Sequence, residues 1–176
     1  MAAEPEIDLL EWIDEVSRRA EPVFAIVSAS ILEDWLGQAL ETQMRDLTST
    51  LRARLFGGYG ALATFSAKID VAYAFKLFDE DLYNDFRAIK DIRNKFAHTR
   101  DLNLHFNSLE LAPEVQKLTG WTNKSDPEQL FNQRVHACVK AVQPHMNQSA
   151  IVKALKKDRA PQSTHPVKAN PDRSST

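Results

Sequence analysis

Cysteine is almost absent from this 176-residue chain, with Cys138 standing alone. One thiol excludes an intramolecular disulfide, so packing has to hold the fold. Glycine is scarce too: there are five, and three of them crowd into "GGYG" at Gly57 to Gly60. So little glycine, with 43% hydrophobic and 26% charged residues, excludes fibrous and low-complexity classes. Alternating runs of β-branched residues are missing, which leaves no basis for a sheet. The most apolar run, "VFAIVSASIL" from Val23 to Leu32, meets Glu33 and Asp34 before it reaches the length of a bilayer span. No apolar leader with a small-residue cleavage site opens the chain, so a reducing cytoplasm is the expected compartment and no membrane is expected as a partner.

Basic charge is also short where a duplex-binding protein needs it. The formal net charge of -2 conceals an uneven distribution: residues 1–48 carry 11 acids against 3 bases, and residues 151–176 carry 2 acids against 6 bases. Affinity for duplex DNA rests on a concentrated basic face that displaces counterions from phosphates. Only the C-terminal end offers one, and no helix-turn-helix signature is legible, so direct duplex binding is not expected.

Helical periodicity dominates what is present, and it predicts an all-α helical bundle. Ile7 to Ala20 reads as a first helix. Pro22 suits the first turn of a second, running to about Leu47. "STLRARLF" reads as a short helix ending at "GGYG", a tight helix-to-helix turn without the Lys-Ser/Thr ending of a phosphate loop. Helices over about 61–78 and 80–98 follow, joined at the acidic "DED", whose carboxylates suit a helix N-terminus. "TRDLNLHFNSLELAPEV" is irregular, with room for a short helix. "SDPEQLFNQRVHACVKAV" opens with helix-start residues and forms the last core helix, over 127–143, to be ended or kinked by Pro144. Trp35, Phe65, Ile69, Phe86, Ile89 and Phe96 are the expected core. One domain over 1–157 is expected, followed by a disordered basic tail over 158–176, which has three prolines and almost no apolar anchor.

The candidate site lies in "RNKFAH", residues 93–98. On a helical wheel Ile92, Phe96, Ile89, Leu82, Phe86 and Ala97 form an apolar arc, and Arg93 falls inside it. A permanent charge there needs a partner, and Asp85 and Glu33 are the acids within reach of the argument. Asn94 and His98, four residues apart, share a different face. Two readings stay open: a structural ion pair with His98 merely in the last turn, or a working site.

"RNKFAH" resembles the Arg-x4–6-His signature of HEPN domains. More specifically, "LFGGYGALATFSAKIDVAYAFKLFDEDLYNDFRAIKDIRNKFAH" is similar along its length to the mannitol operon repressor (MltR-like) family, placed among HEPN-type folds. "ASILEDWLGQAL" resembles that family's early helix, with Glu33 at its acidic position. The resemblance implies a HEPN-like helical bundle, a homodimer formed through the motif helix with Glu33, Arg93 and Asn94 at the interface, and a transcriptional regulator or repressor; the missing helix-turn-helix and the acidic N-terminal half then point to a protein or RNA partner in place of duplex DNA. For HEPN ribonucleases it implies an alternative: metal-independent cleavage in which the ribose 2′-hydroxyl attacks the adjacent phosphate. His98 would then exchange protons, Arg93 would stabilise phosphate charge and Asn94 would orient one of them. Arg93, His98 and Lys95 are the candidate phosphate or ligand contacts. On one helix Arg93 and His98 point apart, so a working site would be shared by two antiparallel copies.

The remaining candidates carry less. His105, His136, His145 and His165 lack metal-ligand spacing, so no metal and no cofactor are expected. Cys138 lies among apolar helix positions and reads as a small core residue. Glu33 and Asp34 read as a solvated or interface edge of their helix. Trp12, Trp35 and Trp121 are scattered singly and suit packing better than base stacking.

Overall fold

Four side-chain oxygens set where helices begin. Thr48, Thr64, Asp79 and Asp126 each accept the backbone N–H three residues on, from Leu51, Ala67, Leu82 and Gln129 respectively. Each such cap is worth about 1 kcal/mol. The computed structural model describes residues 9–101 and 103–146, with side chains from residue 20 onward. Its helices are α1 (Leu9–Thr42), α2 (Ser49–Phe56), α3 (Phe65–Ala74), α4 (Glu80–His98), α5 (Ala112–Val115) and α6 (Pro127–Val142), closed by a 3-10 turn, Gln143–His145. The fold is all-α, with no strand among the described residues. Residues 147–157 of the expected domain and the expected tail, 158–176, lie outside them.

Two boundaries correct the sequence expectation. The break at Pro22 does not occur: α1 runs unbroken through it and stops at Thr42, short of Leu47. Interior proline forfeits its own N–H and crowds the carbonyl four residues back, a cost of about 3 kcal/mol that the packing of α1 beyond Pro22 outweighs. α3 is shorter than 61–78 because Thr64 caps it and Lys76, with φ 59°, turns the chain so that Leu77 and Phe78 fall into the core. The "GGYG" turn is as expected. Gly58 has φ 56°, and a side chain on Gly60 would start 2.3 Å from the Leu55 carbonyl oxygen, so glycine is required at both.

α4 is the central element, packed against α1, α3, α5 and α6. Its apolar face buries Phe86, Ile89, Ile92 and Phe96 against Leu32, Leu36 and Leu40 of α1, Phe65 and Ile69 of α3, and Phe131, Val135 and Cys138 of α6. Phe96, Phe106, Phe131 and Phe24 form a run of rings with centroids 5.2, 5.1 and 6.0 Å apart, which ties the irregular 99–111 stretch to α4, α6 and α1. One expected core member lies elsewhere, Trp35, which sits half-buried at the rim; Ala97, placed in the apolar arc of the wheel, is exposed. Residues 20–42 of α1 have the length and mean hydropathy, 1.3, of a membrane span, contrary to the sequence expectation. That value comes from the buried Ala25, Ala29, Leu32, Leu36, Ala39 and Leu40 together with the exposed Val23, Val27 and Ile31.

Candidate functional site

Arg93 and His98 leave α4 in different directions, as the wheel requires, and each enters its own cluster.

Arg93 meets α1 and α3. Its Nη2 donates to Glu33 Oε2 at 3.4 Å, while Lys68 Nζ donates to Glu33 Oε1 at 3.0 Å. Glu33 is therefore no solvated edge: it is the shared anion of two cations from two other helices. Asp34, beside it, is exposed. Lys68 is buried, with only 8% of its surface exposed, and its stem passes over Gly37, where an added side chain would start 3.7 Å from Cε. Two cations on one carboxylate leave a surplus positive charge. Arg93 Nε is buried and finds no acceptor among the described residues.

His98 occupies the last turn of α4 and lines an open cleft of about 290 Å³ with Asp91, Asn94, Lys95, Thr99, Glu110 and Glu114. α5 supplies Glu114, and the loop before it supplies Glu110. Asp91 pairs with Lys90 at 2.9 Å, whereas Glu114 Oε2 is buried without a donor among the described residues. The cleft thus combines three carboxylates with the negative end of a helix dipole, against Lys95 and His98. Of the residues expected to contact a ligand, the fold brings Lys95 and His98 together, with Asn94 beside them, and places Arg93 outside the cleft. Of the expected interface residues, Glu33 and Arg93 bind each other within one chain, and Asn94 faces the cleft.

Asp85, the other acid considered for Arg93, is engaged elsewhere. It is fully buried; Oδ2 accepts Arg134 Nε at 2.8 Å and a second bond from Nη2, and Oδ1 accepts the Thr119 backbone N–H at 2.8 Å. This closed arrangement joins α4 to α6 and to the loop before it, which makes it a structural tie. Arg134 escaped the sequence reading because nothing in α6 marks which of its polar residues turns inward.

The lesser candidates settle as packing. Cys138 is fully buried, and burial first, then the nearby Asp85 charge, pushes its thiol up, away from the reactive thiolate. His105 Nδ1 accepts the Asn107 backbone N–H at 3.2 Å and holds its own loop. Among the described residues no three of His, Cys, Asp and Glu gather with the geometry of a metal site. Set against known protein families, curated proteins and solved structures, the chain matches none of them.

Proposed function

We propose that this protein is a regulator that works by binding a protein partner, in line with its resemblance to the mannitol operon repressor family, and that the cleft beside His98 receives a basic side chain of that partner. The observation that carries this reading is the composition of the cleft. Asp91, Glu110 and Glu114 surround the C-terminal end of α4, a setting that attracts a cation and repels a phosphate. Arg93, the residue best suited to hold a phosphate, is spent on Glu33.

The rival reading is a metal-independent ribonuclease whose site is completed by a second copy of the chain. One observation favours it: the buried Arg93 Nε lacks an acceptor, which a phosphate or a partner in a homodimer would supply. Both readings suit a cytoplasmic protein.

The two are separated by following the His98 ring resonances in the full-length protein while titrating a short oligolysine peptide and, separately, inorganic phosphate. The expected result is a saturable shift with the peptide and none with phosphate. RNA cleavage by the metal-free protein, abolished by both Arg93→Ala and His98→Ala, would overturn the binding role in favour of the enzyme.

A further inference from the structure

Tyr59, at the tip of the turn after α2, is the most exposed large apolar residue among the described residues. The turn that carries it is nonetheless fixed. The Leu62 N–H donates to the Leu55 carbonyl at 2.8 Å, the Gly60 N–H to that of Gly57 at 2.9 Å, and the Ala63 N–H to that of Gly60 at 3.0 Å. Gly58 takes φ 56°, and Gly60 lies so close over the end of α2 that an added side chain would start 2.4 Å from the Arg54 carbonyl oxygen. Backbone bonds and glycine geometry therefore hold Tyr59 beside Arg54, without help from its own ring. A ring held out in water contributes nothing to the core. Fixed in advance, it gives up little freedom when something stacks on it.

α2 is equally uncommitted to the bundle. None of its eight residues is buried. Arg52 pairs with Glu41 at 2.8 Å, yet its side chain stays 58% exposed, and Arg54, in the last turn, is exposed. Residues 47–69 contain Arg52, Arg54 and Lys68 and no acid. Lys68 is committed to Glu33, which leaves Arg54 and the outer side of Arg52 to meet a ligand. An aromatic face thus stands next to cations on a stretch without a carboxylate of its own to repel an anion.

An acidic protein segment and a single strand of nucleic acid both match that charge, and the surroundings of Tyr59 separate them. A tyrosine that anchors a protein interface sits within a ring of side chains that keep water out. Around Tyr59 stand Gly57, Gly58, Gly60 and Ala61, which offer at most a methyl group to such a ring. A base needs none, because it stacks on an open π-face while guanidinium groups alongside take the phosphates. The shortage of basic charge that disfavours duplex DNA weighs less here, since stacking holds a single strand over a short path. We propose that Tyr59, with Arg54 and Arg52, binds single-stranded nucleic acid at the tip of α2. None of these residues lines the His98 cleft, so the site is independent of the partner taken there.

The test is fluorescence anisotropy of end-labelled oligouridine and oligodeoxythymidine, about twelve nucleotides long, titrated with the full-length protein at about 50 mM salt. The expected result is saturable binding of at least one strand, weakened by at least about fivefold with Tyr59→Ala and retained with Tyr59→Phe. Arg54→Ala should lower the slope of log affinity against log salt by about 0.7, the loss of one phosphate contact. Tyr59→Ala should keep the melting temperature of the parent, so that its weaker binding is not unfolding. Failure of both strands to bind, or equal affinity of Tyr59→Ala and the parent, would overturn the proposal. Loss of binding with Arg93→Ala but not with Tyr59→Ala would refute it and move the strand to α4. Tyr59-dependent binding of an oligoglutamate peptide in place of either strand would refute it in favour of an acidic protein.

Discussion

Two charged clusters stand about two turns apart on α4 and differ in every respect that matters. At Asp85 one fully buried carboxylate meets one partly exposed guanidinium, and both of its oxygens are occupied by donors from Arg134 and Thr119. At Arg93 two cations share the single carboxylate of Glu33, Arg93 and Glu33 stay partly exposed while Lys68 is buried, and a buried N–H is left over. The first cluster is closed: each of its groups has its partner, so it can hold helices together and do nothing else. The second is open and has capacity for one more acceptor. The comparison shows why burial alone is a poor guide to how a charge is used: the most deeply buried carboxylate in the described chain has a donor on each oxygen, and the partly exposed Arg93 keeps an N–H without an acceptor.

The sharpest way to break this comparison is to remove the closed carboxylate. Asp85→Ala leaves the Arg134 guanidinium and the Thr119 N–H without their acceptor, and it should cost about 3–5 kcal/mol in urea unfolding. A loss below about 1 kcal/mol would class Asp85 with ordinary exposed ion pairs and erase the distinction.

The open cluster should respond less and asymmetrically. Glu33→Ala leaves Lys68 and Arg93 facing each other and should cost about 1–3 kcal/mol. Arg93→Leu should stay within about 1 kcal/mol of the parent, because Glu33 keeps Lys68 and the new side chain joins an apolar stripe. Denaturant unfolding of the two variants and of the double variant checks this. Equal and large losses from both single changes would make the cluster as closed as the one at Asp85.

Gly37 sharpens the same contrast from the α1 side. The Lys68 stem crosses it with ordinary van der Waals room for a methyl group, 3.7 Å from Cε. Gly37→Ala should therefore raise stability by about 0.5–1 kcal/mol through helix propensity alone, without disturbing the ion pair. Destabilisation in a thermal melt would show that Lys68 needs the gap.

What was legible in the sequence divides along the same line. α2, α4 and α6 could be read nearly to the residue, because Thr48, Asp79 and Asp126 are capping residues followed by clear periodicity. Arg93 was legible as a charge within an apolar stripe, and Glu33 as one of two possible partners. The choice between Glu33 and Asp85 was not, because it depends on which helices face each other. Pro22 misled because a start signal and a tolerated interior proline look alike locally. Glu110 and Glu114, which give the His98 cleft its character, come from a stretch without periodicity, so no pattern placed them opposite α4. Glu21 was equally silent: it accepts the Phe106 backbone N–H at 2.6 Å across 85 residues of chain.

A third group of charges, acidic throughout, yields the smallest effect and a control for the other two. Glu128 stands in the first turn of α6 near Glu21 and Asp126. Its carboxyl is raised above the ordinary range, first by burial and then by repulsion from Glu21 and Asp126. The folded chain therefore binds this proton more readily than the unfolded chain does. Stability from this group is present while the carboxyl is protonated and falls as pH rises from the ordinary carboxylate range through the raised value. An acid in the first turn also gains from the helix dipole, so the raised value shows that desolvation and repulsion outweigh that gain. Glu128→Gln keeps the side-chain shape and removes the titration. Melting temperatures measured between about pH 3 and pH 7 should show the variant gaining on the parent as the pH rises through the carboxylate range. At the acid end of that range the two should converge. A parent that gains on the variant with rising pH would mean that the dipole governs Glu128 and that an unpaired acid cluster costs this fold nothing.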